Sequence, residues 1–353
     1  MRESSRANLT TAPEEARVTG SSLQPGRLVT RSQQQSVLEA FAPEAAAVPE
    51  GAAVLDATSV AAVVVTFHPG PDLPATLVAL LSQTGVVVVV DNGSCPADLP
   101  DVDDPAFGGR VEIVANEGNI GLAAALNQGL RRAKERGFGW ALTMDQDSAP
   151  LPNLVAAAGR AFHAHPEPER LAAIGATVAG ADDSTPAPTV PYRRVEAVIT
   201  SGTLHSIPVW ERLGGFREDF FIDCVDTELC LHARARGFKV VGATEPAIEH
   251  RIGAPTRKRA LGRWMMPTNH SPLRRYYVTR NRLSLWRHYA RSDGRFVLTD
   301  MRQSIREWIG IAFAETDRSA KLRAILAGFG DAALGRYGPR RLPGNPHQPS
   351  SGS

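Results

Sequence analysis

The sequence predicts an α/β fold built on a mainly parallel central sheet, and two observations carry that prediction. From about Val60 onward, apolar β-branched runs alternate with helix-like stretches, and the runs are unbroken, as in VVVVVD at 86–91. A strand covered by helices on both faces has no polar side to present, so it reads as a continuous Val-rich run and not as strict alternation. With 353 residues, 43% of them hydrophobic and 22% charged, the chain can bury one large core or two smaller ones.

Residues 1–56 are rich in Ser, Gln, Ala, Pro and Glu with little periodicity, and a disordered N-terminal extension is expected there. The first folded domain is expected over 57–255. It begins with a strand at VAAVVVTF (60–67), a helix over Leu73–Ser82, and strands at VVVVVD (86–91) and VEIVA (111–115). A helix from Gly121 to Arg136 and a strand at WALTMD (140–145) follow. Beyond them come a strand near Ala172–Val178, a Pro-rich loop at 180–191, and a segment Val195–Ile207 containing Thr200-Ser201-Gly202. FREDFFIDCVD (216–226) then leads into a short helix, Asp226 to Arg236, closed by Gly237 at its C′ position. A basic, mainly helical region is expected over 256–338 and a disordered tail over 339–353.

The formal charge of +2 is too mild to imply a nucleic-acid partner, but the cations are unevenly placed. Arg251 to Arg291 holds eleven Arg/Lys and no Asp/Glu, interleaved with Trp264, Tyr276, Tyr277 and Trp286. Two readings fit: a peripheral contact with an anionic membrane, or a solvated basic face packed on the preceding α/β domain. Three cysteines without CxxC spacing are read as buried thiols of a reducing cytosol. The N-terminus lacks the apolar core of a signal peptide and no run of about 18 apolar residues occurs, so neither secretion nor membrane spanning is expected.

Two strands end in polar residues, Asp91-Asn92-Gly93-Ser94 and Asp145-Gln146-Asp147. Ligands of open α/β sheets sit at that carboxyl edge, so both segments should face one cleft. Two carboxylates two positions apart just past a strand can reach one divalent cation, and their hard oxygens suit Mg²⁺ or Mn²⁺. A surface turn is the bland reading of DQD alone. Asn116-Glu-Gly-Asn-Ile-Gly121 precedes a helix, where glycines let the backbone approach a ligand and helix amides favour an anion. A tight strand-to-helix turn explains the same residues. Asp226 is by itself an N-cap acceptor or a general base. His250 is a partly buried histidine or a ligand completing a cation site.

The order and spacing of these parts, over residues 60–290, resemble family 2 glycosyltransferases of the GT-A fold, and among them bacterial rhamnosyltransferases. The pieces that carry the resemblance are VVVTFHP, VVVDNGS, NEGNIGLAAALNQGL, LTMDQD, ITSGTL, LGGFREDFFIDCVDTELCLHARARGF, EHRIG and RRYYVTRNRLSL. FIDCVDTELCLHARARGF is the most specific, being close to a FIDxVDxEWCxRxxxxG pattern, with Leu229 in place of the usual Trp. The resemblance implies that Thr66 and Asp91 line the base pocket, with Asp91 accepting from the base imide. It implies that Asn116, Gly118 and Gly121 shape the donor site, that Asp145 faces ribose and metal, and that Asp147 and His250 bind the metal. Asp226 would be the catalytic base, and Ser201 and Gly202 would lie on the acceptor or diphosphate side. The implied activity is metal-dependent, inverting transfer of a sugar, with dTDP-L-rhamnose as donor and a lipid-linked or cell-surface glycan as acceptor. UDP-galactofuranose or another UDP-sugar is the alternative donor. A nucleotidyltransferase and a membrane-surface scaffold with an inactive transferase domain are the readings from other classes.

Overall fold

The computed structural model describes residues 55–180, 189–250, 258–260, 263–265 and 269–340, without the side chains of 250, 258–260, 263–265 and 314. The expected extension at 1–56 lies outside the described residues except for its last two. So do 181–188 of the Pro-rich loop and all but the first two residues of the expected tail.

Strands β1 (Val60–Thr66), β2 (Val86–Asp91), β3 (Val111–Ala115) and β4 (Trp140–Asp145) alternate with helices α1 (Leu73–Leu81) and α2 (Leu122–Glu135). The Val runs are buried on both faces. Val86, Val88 and Val90 point into one core with Leu126 and Leu130 of α2, while Val87 and Val89 point into another with Leu73, Leu77 and Leu80 of α1. Helix α3 (Leu154–Ala164) covers the second face with Leu154 and Phe162.

β1 pairs in parallel with both β2 and β4, in a register that aligns Thr66 with Asp91 and Val65 with Asp145. Three polar strand ends therefore emerge side by side at the carboxyl edge. The sheet continues through β8 (Thr203–Ser206), antiparallel to β4, then β6 (Leu171–Val178) and β9 (Lys239–His250), with β5 (Ser148–Pro150) and β7 (Tyr192–Arg194) antiparallel to β9. This is the expected α/β class with a mainly parallel centre and a mixed far side. Helices α4 (Ile207–Arg212) and α5 (Val225–Ala235) follow β8, and Gly237 takes φ +82° after α5, as its C′ role requires.

The C-terminal region is helical as expected: α6 (Pro272–Tyr289), α7 (Gly294–Ala314) and α8 (Arg318–Ala333). Ser271 caps α6 and Asp293 caps α7 through side-chain bonds to Arg274 N and Phe296 N. Three of the basic residues of α6 depart from the expected solvated face, while Arg274 and Arg287 stay exposed. Arg275 is buried against Glu315 at 2.6 Å, Lys321 meets the same Glu315 at 2.9 Å, and Arg282 reaches Glu307 at 2.7 Å. Arg280 is fully buried and donates to backbone carbonyls. The neutralising acids lie on α7 and just after it, beyond the window in which the local charge excess was counted. The rest of the basic stretch, 251–268, lies outside the described residues or is described by backbone alone. Among the described residues no helix is long and apolar enough to cross a membrane. Cys230 is buried, Cys224 half-buried and Cys95 exposed, so the buried-thiol expectation does not hold for Cys95.

Candidate active site

The ends of β1, β2 and β4 converge with the start of α5 and faces of α6 and α7 around a cavity of about 700 Å³, within the range of small-molecule sites. Thr66, Gly121, Asp145, Asp147 and Asp226 all line it. The cleft expected from strand ends alone is therefore present.

The DQD turn is held by its middle residue. Gln146 Oε1 accepts from Phe67 N at 2.8 Å and Gln146 Nε2 donates to Phe67 O at 3.2 Å, tying the turn to the end of β1. The carboxylates on either side of Gln146 are left on the cavity wall, Asp145 half-buried and Asp147 exposed. Ser201 Oγ accepts from Asp145 N at 3.3 Å. Backbone pairing of Ser148 with His250 brings residue 250 beside this turn, but the His250 side chain lies outside the described residues. Among the described residues no group of three or more His, Cys, Asp or Glu could hold a metal ion. What the structure supplies is two hard-oxygen side chains facing one cavity, a donor set that suits Mg²⁺ or Mn²⁺.

Asp91 sits one layer below the cavity, 1% exposed. Its carboxylate accepts from Thr66 Oγ1 at 2.8 Å, Gly93 N at 3.0 Å and Ser94 N at 2.7 Å, and from Ser94 Oγ. Those bonds use all of its roughly four acceptor sites. A contact with a base imide would require the Ser94 hydroxyl to rotate away. Neighbouring Asn92, rather than Asp91, lines the cavity. Asn116 is engaged with Gln128 in two reciprocal bonds of 2.9 Å. Gly118 lies beside Gly93, which has φ +88° and where a Cβ would stand 2.7 Å from the Gly118 Cα, so a side chain is excluded. Ser201 and Gly202 stand behind the wall, Ser201 buried and Gly202 packed on Ile248 and Ala176; the residues that reach the cavity here are Ile199 and Thr200.

Asp226 is not the helix cap. Cys224 occupies that position with φ +61°, and Asp226 falls in the first turn of α5. Its carboxylate accepts from Thr227 N at 2.7 Å, Thr227 Oγ1 at 3.3 Å and Thr200 N at 3.2 Å. Burial pushes the Asp226 carboxyl above the usual carboxylate range, outweighing the opposite pull of the Thr227 and Thr200 amides, and nearby Asp223 pushes the same way. An elevated carboxylate on a cavity wall is a better proton acceptor than an ordinary one. Of the other acids nearby, Asp223 lines the cavity but is paired with Arg274 at 2.8 Å. Glu228 points into the core to accept from Tyr289 OH at 2.8 Å, and Asp219 is held by Arg217.

The loop that delivers Asp226 contains three non-glycine residues with positive φ, Phe221, Asp223 and Cys224. Each such residue costs of order 1–3 kcal/mol unless its surroundings fix it. Asn281 does so: its Nδ2 donates to Phe220 O at 3.1 Å, Ile222 O at 2.9 Å and Asp223 O at 2.8 Å. Arg280 adds bonds to Phe220 O at 2.9 Å and Asp219 O at 3.2 Å. From the other side, Phe221 O accepts from Leu122 N at 2.6 Å and Ala123 N at 3.4 Å. Those are the first amides of α2, expected from the sequence to face an anion; a carbonyl of the same chain occupies them. Gly121 is required for this contact, since a Cβ there would lie 2.8 Å from Phe221 O at a φ of +93°. The Arg280-Asn281 pair within RRYYVTRNRLSL is thus a clamp on the loop carrying Asp226, a role that charge and periodicity alone did not reveal.

The family described as Glycosyl transferase family 2 matches residues 61–241. The dTDP-rhamnosyl transferase RfbF of Shigella flexneri is 29% identical over 252 residues, covering 65% of this chain and 80% of that protein. Among solved structures, S. aureus TarS 1-349 in complex with UDP-GlcNAc is 14% identical, with a TM-score of 0.45, covering 78% of this chain and 73% of that one. GalNAc-T7 with UDP, GalNAc and Mn²⁺ is 15% identical, with a TM-score of 0.48 and coverage of 76% and 60%.

Proposed function

Because the chain belongs to glycosyl transferase family 2, we propose that it transfers L-rhamnose from dTDP-L-rhamnose to a hydroxyl of a lipid-linked or cell-surface glycan, with inversion at the anomeric carbon. The observation that carries the mechanism is that one cavity gathers Asp145, Asp147 and Asp226. The similarity to a dTDP-rhamnosyl transferase supports the donor.

Sugar transfer from a nucleoside diphosphate requires a proton to leave the attacking hydroxyl and negative charge to be stabilised on the departing diphosphate. Asp226 receives the proton, its carboxylate taking it from the hydroxyl as the new glycosidic bond forms and the bond to the diphosphate breaks. Attack from the face opposite the leaving group needs no enzyme nucleophile. Asp147, with Asp145 and with His250 as a third contact, would hold Mg²⁺ or Mn²⁺, which when bound supplies Lewis-acid stabilisation of the leaving diphosphate. Gln146 keeps both carboxylates on the wall through its paired bonds to Phe67. Asn281 and Arg280 hold Asp226 in reach by fixing the loop before it. The test is release of dTDP with concomitant labelling of an acceptor from dTDP-L-rhamnose in the presence of Mn²⁺. Turnover of a UDP-sugar with none of dTDP-L-rhamnose would replace the donor assignment.

A further inference from the structure

Helix α7 presents two faces of different character. Its inner face contributes Phe296 and Asp300 to the active-site cavity, and Asp300 and Glu307 are turned inward onto Arg282. Its outer face carries Leu298, Met301, Ile305, Ile309 and Phe313, from 38% to 55% exposed. At about 100° per residue these five fall within an arc of about 120°, the width of an amphipathic stripe. On a helix packed against its own protein, such a stripe should face the core; here it faces outward, which marks an interaction surface.

The charges on that face identify the partner. Both acids of α7 are used internally, so the exposed charges on the helix are Arg295, Arg302 and Arg306, none ion-paired among the described residues. Pairing two copies through a two-fold axis would gather the arginines of both helices along one seam, with both acids of each α7 turned inward and none left there to neutralise them. A bilayer with anionic headgroups instead accepts the apolar stripe at its acyl boundary and the guanidinium groups at its surface. We propose that the outer face of α7 docks the protein peripherally on an anionic lipid surface. A helix is about 10–12 Å across, so the cavity wall formed by Phe296 and Asp300 would lie about that far from the headgroups. The proposal deepens, and rests on, the reading of the site as a glycosyltransferase with a lipid-linked acceptor. It also moves the membrane contact from the stretch Arg251–Arg291, where Arg275, Arg280 and Arg282 of α6 are engaged within the protein, to residues 295–313.

The test is co-sedimentation of the full chain with phosphatidylcholine vesicles, with and without one-third phosphatidylglycerol, at low and at physiological ionic strength. Binding to the anionic vesicles is expected, weakening as salt rises. Ile305→Glu/Ile309→Glu should reduce it at least tenfold, and Arg302→Gln/Arg306→Gln by about fivefold for each arginine removed. These side chains are exposed, so melting temperatures should hold close to that of the parent protein. Equal binding to neutral vesicles, binding unchanged in both double variants, or a dimer abolished by Ile305→Glu/Ile309→Glu in a protein that ignores vesicles would each overturn the proposal. Vesicle binding requires neither donor nor acceptor, so it separates the two readings: binding without sugar transfer sinks the proposed function alone, and transfer to a soluble acceptor without binding sinks the docking face alone.

Discussion

Replacing Asp226 by Asn separates a base from a structural acceptor, and the structure sets the size of each effect. The Asp226 carboxylate accepts from Thr227 N and Thr227 Oγ1 on one oxygen and from Thr200 N on the other. An asparagine keeps only one acceptor oxygen. If that oxygen keeps Thr227, the new amide group meets the Thr200 N–H, and one donor loses its partner at a cost of about 1–3 kcal/mol. An opposing effect comes from the charge itself. Because burial raises the Asp226 pKa, the folded state favours the neutral form, and this contribution to stability is full below the ordinary aspartate range and is lost as pH rises through the raised value. At neutral pH the ionised carboxylate is therefore a burden that Asn removes. The two effects offset, and Asp226→Asn should melt within a few degrees of the parent. Loss of the base should lower turnover by about 10²–10⁴-fold, a barrier increase of about 2.7–5.4 kcal/mol. Initial rates, donor affinity by calorimetry and a thermal melt measure all three quantities. In the parent protein, turnover should fall with decreasing pH around a midpoint above the usual aspartate range. A variant that keeps most of its turnover would falsify the base assignment and turn attention to Asp223 and Asp300, the acids of the cavity wall that are paired with Arg274 and Arg282.

Two further substitutions probe the supports of the site. Asp147→Ala should weaken Mn²⁺-dependent donor binding and chelation should abolish transfer; full activity in excess EDTA contradicts a cation held by the DQD turn. Asn281→Ala strips donors from the buried carbonyls of Phe220, Ile222 and Asp223; it should cost about 2–4 kcal/mol of stability and, at a temperature where the variant remains folded, lower turnover at least tenfold with donor affinity little changed. An unaltered melt and unaltered rate would mean that the loop is held without this clamp.

The half of the sheet built from β1 to β4 is legible because its strands are simple. VVVVVD and WALTMD read as two-sided buried strands and end where their polar residues begin. By contrast β9, KVVGATEPAIEH, contains Gly242 and Pro246 and shifts register against β6, so its period is broken and the sequence alone points to no strand there. The cavity-facing roles of Asp145, Asp147 and Asp226 can be reached from spacing and resemblance. The roles of Asp91, Ser201 and the first amides of α2 cannot, because whether a polar group at a strand or helix end meets a ligand or another part of the chain depends on long-range contacts. Phe221 O on the amide of Leu122, a residue far away in sequence, is such a contact. The basic stretch misleads for the same reason: local sequence shows Arg275 and Arg282 without acids, and tertiary packing supplies Glu307 and Glu315 from the following helix and the turn beyond it.

The proposed transfer of a deoxyhexose from a thymidine nucleotide is open to a side-by-side measurement of dTDP-L-rhamnose, UDP-galactofuranose and UDP-GlcNAc. With Mn²⁺ present and the chain otherwise unaltered, dTDP-L-rhamnose should bind and be turned over at least tenfold more efficiently than either UDP-sugar, and Asp226→Asn should bind it without turning it over. Preference for a UDP-sugar, or rhamnose transfer undiminished in Asp226→Asn, would contradict the account.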